Sequence, residues 1–158
     1  IDVRSKERNG TSFYLYFPVS EKEIAKDSIV VGKVVNGNNH KILIVDDDLD
    51  LLGVLKAIFD NIGYKAIVSN NASDALEIVH KEKNNISLVM SDVVMPEMNG
   101  IKLVEKINKM NLNIKCILMS GYPDKIFKKE EYSIEKIPFL RKPFTLEQAS
   151  ALIMRILK

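Results

Sequence analysis

Between residues 41 and 158 short apolar runs alternate with helix-period segments five times, and that alternation constrains the fold more than any other feature. The apolar runs are Ile42–Val45, Tyr64–Ser69, Ile86–Met90, Lys115–Met119 and Ile137–Leu140. Most are near-continuous rather than polar every second residue, which marks strands covered on both faces, as in a parallel sheet. Leu51, Leu55, Ile58, Phe59 and Ile62 recur at helical spacing after the first run, with Gly63 as the stop. Asn71 caps a second helix carrying Ala75, Leu76 and Val79 inward, and Ile101, Val104 and Ile107 mark a third. Thr145 with Gln148 forms a capping box before Ala149, Leu152, Ile153 and Ile156. Residues 122–136 carry only a weak helical pattern around Asp124–Glu131, so a helix there is expected to be short or irregular. The whole reads as an α/β fold, a doubly wound five-stranded parallel sheet with helices on both faces.

Such a sheet puts every strand's carboxyl end on one edge, where open α/β folds bind ligands. The first strand runs straight into Asp46-Asp47-Asp48, the third into Ser91-Asp92, the fourth into Ser120-Gly121 and the last into Arg141-Lys142-Pro143. Three adjacent carboxylates repel one another, and a hard divalent cation with oxygen ligands, Mg²⁺, relieves that cost. The plainer reading makes the acids helix caps and Lys142 a solvated loop charge. It suits Asp48, which is expected to be a cap. It suits less well a set arriving at one edge from four strands. Carboxylates, a hydroxyl and a lysine gathered there suit phosphoryl chemistry, with a carboxylate able to serve as nucleophile. The Lys142-Pro143 bond can be cis, which would aim the lysine.

The order Val-Asp-Asp, then Ser-Asp-Val-Val-Met-Pro-Glu-Met-Asn-Gly, then Met-Ser-Gly, then Arg-Lys-Pro-Phe resembles the receiver domain of two-component signalling, over residues 41–158. The resemblance implies a flavodoxin-like (βα)5 sheet of order 2-1-3-4-5. It implies Asp92 as phospho-acceptor, Asp46, Asp47, Asp92 and the Val94 backbone carbonyl around Mg²⁺, Ser120 against the phosphoryl group, and Lys142 paired to it. Phe139 matches the switch aromatic but lacks a hydroxyl, so it can respond only by repacking. The implied reaction is Mg²⁺-dependent transfer from a phospho-histidine to Asp92, followed by slow hydrolysis. The alternative is a receiver-fold interaction module that never turns over phosphate.

Residues 1–18 have another character. Ile1–Arg4 and Thr11–Phe17 read as strands around an Asn9-Gly10 turn, and four aromatics crowd into residues 13–17. A lone hairpin is marginal in water, so these aromatics are expected to be covered by the main domain or by a second copy in a dimer. The stretch Arg8–Pro18 resembles the last strand of a sensor histidine kinase's ATP-binding domain. Residues 19–40 read as a linker with a sticky segment at Ile29–Val35 and a plain turn at Asn36–Asn39. Together the two resemblances imply a C-terminal fragment of a hybrid sensor histidine kinase. Its implied partners are a phospho-histidine domain, in cis or in trans, and a histidine-phosphotransfer protein.

A formal net charge of +2 is too balanced for nucleic acid as main partner, and no apolar run is long enough for a membrane contact by this fragment. A single cysteine, Cys116, in an apolar run fits a buried thiol and a cytoplasmic address, whatever anchors the parent kinase. A flavin or nucleotide binder would need a Gly- or Ser/Thr-rich phosphate loop where this chain has carboxylates. An aspartate-nucleophile phosphatase would want an acid where Val94 stands.

Overall fold

The structure, a computed structural model, describes residues 1–18, 34–121 and 137–158. The expected irregular helix at 122–136 and the sticky segment up to Lys33 lie outside those residues. Two compact units divide the chain, Ile1–Val30 and Val31–Lys158.

In the first unit β1 (Asp2–Lys6) pairs antiparallel with β2 (Gly10–Tyr14). Arg8 and Gly10 take positive φ, and Asn9 N–H donates to the Lys6 carbonyl, so the turn spans Glu7–Asn9. Local contacts stitch the pair. Ser5 and Thr11 hydroxyls lie 2.8 Å apart, and the Arg4 guanidinium lies 5.2 Å from the Tyr14 ring centre. Every strand residue is exposed, and Phe13, Tyr16 and Phe17 are 65%, 71% and 80% exposed. Within this unit, two strands with polar residues on both faces provide no second layer for these aromatics.

In the second unit five parallel strands follow the order β4-β3-β5-β6-β7. They are β3 (Lys41–Val45), β4 (Lys65–Ser69), β5 (Leu88–Asp92), β6 (Lys115–Ser120) and β7 (Phe139–Arg141). Counted from the unit's first strand this is 2-1-3-4-5. Strand parity sorts the side chains into two cores. Leu43, Val45, Val89 and Leu118 face α2 (Ala72–Glu82) and α3 (Gly100–Lys109). Ile42, Ile44, Leu88, Met90, Ile117 and Met119 face α1 (Leu49–Asn61) and α4 (Leu146–Leu157). Both faces are thus covered, as the continuous apolar runs require.

The helix ends follow their capping residues. The Asp48 carboxylate accepts from the Asp50 and Leu51 amides, each at 3.0 Å, and Asn71 and Asn99 cap α2 and α3. The Thr145–Gln148 capping box is present in both directions. Gly63, at φ 89°, ends α1. Within α1 the fully buried face is Leu52, Leu55 and Phe59, while Ile58 is 37% exposed. The fully buried stripe therefore runs Leu52, Leu55, Phe59, with the Leu51 and Ile62 that the periodicity points to partly buried against the same core. The turn at 36–39 is also more than a spacer. Gly37 N–H donates to the Ile62 carbonyl at 2.8 Å and Asn39 N–H to Gly63 at 2.8 Å, which seats Gly37 against Tyr64.

Candidate functional site

β3 and β5 are neighbours in the sheet, so their last residues bring Asp46 and Asp92 to the same edge. Asp46 is 2% exposed and Asp92 7%. β6 and β7 lie next in order, and the Lys142 N–H donates to the Ser120 carbonyl at 2.9 Å, which starts the lysine's path back across the edge. The peptide bond after it, Lys142-Pro143, is cis. The Lys142 ammonium then lies 2.6 Å from Asp46 Oδ2 and 2.6 Å from Asp92 Oδ1. One lysine thus bridges acids from two strands.

The remaining carboxylate oxygens are held as well. Asp46 Oδ1 accepts from the Asp48 N–H at 3.1 Å, and Asp92 Oδ2 accepts from the Val94 N–H at 2.7 Å. Each bond fixes an acid to the loop that follows it, which pre-sets its orientation without a further side chain. Burial pushes the Asp92 carboxyl above its ordinary value, against the opposing pull of the Lys142 hydrogen bond. Burial also works against the Lys142 ammonium, but the hydrogen bonds it donates to Asp46 and Asp92 outweigh it and raise that group. The lysine therefore stays charged, and Asp92 is the more basic for its surroundings.

Of the other residues singled out by sequence, Asp47 stands exposed at the same strand end. Val94, two residues past the end of β5, is 66% exposed. Ser120 is buried at the end of β6, and Phe139 opens β7, packed against the core that α2 and α3 cover. Asp48 belongs to the helix cap, as expected. His80 is exposed, while Met95, Met98 and Met119 serve packing.

Among the described residues no three His, Cys, Asp or Glu side chains stand together in a ready metal-ligating arrangement. The Lys142 ammonium takes up one oxygen each of Asp46 and Asp92. The donor set nonetheless fits a hard cation, because every donor is oxygen and the exposed Asp47 follows the buried Asp46 at the same strand end. Swinging Lys142 off Asp46 frees that oxygen beside the exposed Asp47.

Two residues that sequence reasoning passed over support Asp92 from behind. A Cβ built on Gly100 would lie 2.0 Å from the Asp92 carbonyl oxygen and 2.8 Å from Ser91 Oγ. The Ser91 hydroxyl, fully buried, donates to that same carbonyl at 2.9 Å. Only glycine lets α3 start this close to β5. The signal was present in Asn99-Gly100, a cap followed by the poorest non-proline helix former at the helix start.

A family model described as the response regulator receiver domain matches residues 42–154. The sensor kinase CckA of Brucella abortus is 31% identical over 163 residues, which covers 98% of this chain and 17% of that protein. Sporulation initiation phosphotransferase F of Bacillus subtilis is 32% identical over 110 residues, covering 70% of this chain and 87% of that protein. Among solved structures, the response regulator TrrA of Thermotoga maritima, in complex with Mg²⁺ and BeF, superposes with a TM-score of 0.65. It shares 24% identity and covers 74% of this chain and 98% of that one, a likeness that speaks for the fold alone. The chain spans less than a fifth of the length of the sensor kinase it matches. The match of the family model over most of the chain, and the span of the phosphotransferase that this chain covers, settle its kinship: it belongs to the response regulator receiver domains of two-component signalling.

Proposed function

We propose that Asp92 accepts a phosphoryl group from a phospho-histidine, so that the P–N bond of the donor breaks as a P–O bond forms to an Asp92 carboxylate oxygen. The observation that carries this reading is the Lys142 bridge, 2.6 Å to each of two acids that a parallel sheet places on one edge. The Val94 N–H holds one Asp92 oxygen and leaves the lysine-bound oxygen as the one that meets the donor. Lys142 then follows the charge, moving from the carboxylate to a phosphoryl oxygen. The buried Ser120 at the neighbouring strand end is within the same edge and takes the hydrogen-bonding role towards the transferred group. Asp46, Asp47, Asp92 and the Val94 carbonyl would hold Mg²⁺, which when bound neutralises the phosphoryl oxygens. Water at the same edge returns the acid by hydrolysis.

Phe139, without a hydroxyl, responds by repacking in the core it already touches. The exposed Leu49 and Val54 of α1, beside the acid edge, give a phospho-histidine domain or a histidine-phosphotransfer protein an apolar surface to rest on. The whole chain is read as part of a hybrid sensor kinase with a cytoplasmic receiver. The match to CckA supports that reading because it covers 98% of this chain, past the receiver into the linker and hairpin. Residues 1–18 are then the terminal strands of the ATP-binding domain, whose remaining sheet covers Phe13 and Tyr16. In the isolated chain the same exposed aromatics favour a dimer through the hairpin.

The test is intact mass after incubation with Mg²⁺ and acetyl phosphate or phosphoramidate. One phosphoryl group is expected on the wild-type chain and none on Asp92→Ala. An unmodified wild type would leave the receiver-fold interaction module as the better reading.

A further inference from the structure

The edge of the sheet opposite Asp92 carries a second polar constellation that phosphoryl acceptance does not use. His40 immediately precedes β3, Ser87 precedes β5 and Lys115 opens β6, while Lys83 follows the last turn of α2. These residues, with Asn113, line a cavity of about 390 Å³. Ile86 and Ile114, 2% and 7% exposed, lie against it with Leu157. Lys83 and Lys115 are exposed at the rim. The size falls within the range of small-molecule sites, and the lining is mainly polar, with Ile86, Ile114 and Leu157 as its apolar part.

The charge around the cavity has one sign. No carboxylate lines it. The nearest acid in sequence, Glu82, is already bound by Lys41 at 2.7 Å, and that hydrogen bond holds its carboxyl below the usual range. Among the described residues Lys83 and Lys115 take part in no ion pair, whereas Lys41, Lys56, Lys81 and Lys142 each do. His40 Nδ1 lies 3.1 Å from Ser87 Oγ, which holds the ring and the hydroxyl together at the cavity wall. Two unpaired ammonium groups facing one cavity repel each other, and an anion between them relieves that repulsion. The plainer role of these lysines is to complement the carboxyl end of α2 and of the nearby helix, which requires no shared ligand.

We propose that this cavity at the amino edge of the sheet binds a small phosphate monoester, its phosphate between Lys83 and Lys115 and its apolar part on Ile86 and Ile114. The ligand class follows from the pairing of a cationic rim with buried aliphatic side chains. The site lies at the far ends of the strands that carry Asp46, Asp92 and Ser120, so its occupant does not compete with phosphoryl transfer.

The test titrates the ¹⁵N-labelled chain with adenosine monophosphate, and separately with inorganic phosphate, in metal-free buffer. Saturable amide shifts at Ser87, Lys115 and their neighbours are expected, tighter for the nucleotide than for phosphate. A Lys83→Gln/Lys115→Gln variant should weaken binding about tenfold or more, the usual worth of charge-assisted hydrogen bonds. A Lys102→Gln/Lys106→Gln variant, with the same charge change on α3, should not. Phosphoryl uptake from acetyl phosphate should be unchanged in both variants, which separates failure here from failure of the acceptor reading. No saturable shift, or equal loss in the α3 variant, overturns the site. Equal affinity for both probes overturns the part played by Ile86 and Ile114.

Discussion

The two edges of this sheet are built from the same strands and spend their residues in opposite ways. At the carboxyl edge buried acids face one another: Asp46 and Asp92 are 2% and 7% exposed and share a single lysine. Burial raises the Asp92 carboxyl, which means that folding works against its charged form. At the amino edge the chain closes on itself instead. Gly37 sits under the Tyr64 ring, Tyr64 packs edge-on against Phe59 with centres 5.7 Å apart, and Lys41 pairs with Glu82. One edge gathers buried charge at a cost in stability; the other contributes stability and lies away from the proposed acceptor. The difference teaches that changes at the two edges should separate activity from stability in opposite directions.

The largest expected effect is at Asp92. Asp92→Asn should abolish phosphoryl uptake and yet raise the melting temperature in metal-free buffer. The sign follows from linkage. A carboxyl whose folded value is raised above the ordinary 3.8 contributes fully below that pH and loses its contribution as pH rises through the folded value. The stability gap between variant and wild type should therefore be small at low pH and open as pH rises. Thermal melts across that range check it, and a gap that shrinks with rising pH would break the comparison.

Lys142→Ala comes next. It leaves two buried acids without their shared cation, so both uptake and stability should fall, uptake by about a hundredfold. Rates of mass gain with acetyl phosphate measure the first, and melting the second. If uptake were unchanged, Lys142 would be a structural counter-ion only.

On the opposite edge, Gly37→Ala should do the reverse of Asp92→Asn. A Cβ there would lie 2.4 Å from the Tyr64 ring, so something must shift, at about 1–3 kcal/mol of stability. Uptake by the folded protein should be unaffected. Denaturant unfolding together with the uptake assay tests both halves. Smallest is the effect of pH on Cys116, a buried thiol pushed up to about 12. It should resist thiol reagents at pH 8 in the folded chain and react at once in denaturant.

The site was legible because its residues mark strand ends, and a strand end is a local property: an apolar run, then Asp46, Asp92, Ser120 or Lys142. Parallel topology did the rest, since it sends those ends to one edge without any knowledge of contacts. The Asp48 and Thr145 caps were readable for the same reason. What escaped depends on packing between distant segments. Leu51 and Leu52 are equally apolar, so periodicity cannot say which is fully buried; the sheet chooses Leu52. Gly37 looks like any turn glycine until Tyr64 arrives over it. Gly100 reads as loop until α3 is seen to begin against the Asp92 carbonyl. The hairpin differs again: its two strands leave its aromatics exposed, and cover for them lies outside the pair, where local pattern does not reach.

The central claim is that one carboxylate at the reactive edge takes the phosphoryl group. Borohydride reduction of the chain after treatment with Mg²⁺ and acetyl phosphate, followed by peptide mass mapping, locates that group directly. Reduction at Asp92 alone is the predicted result. Reduction at Asp46 or Asp47, or at no aspartate, would contradict it.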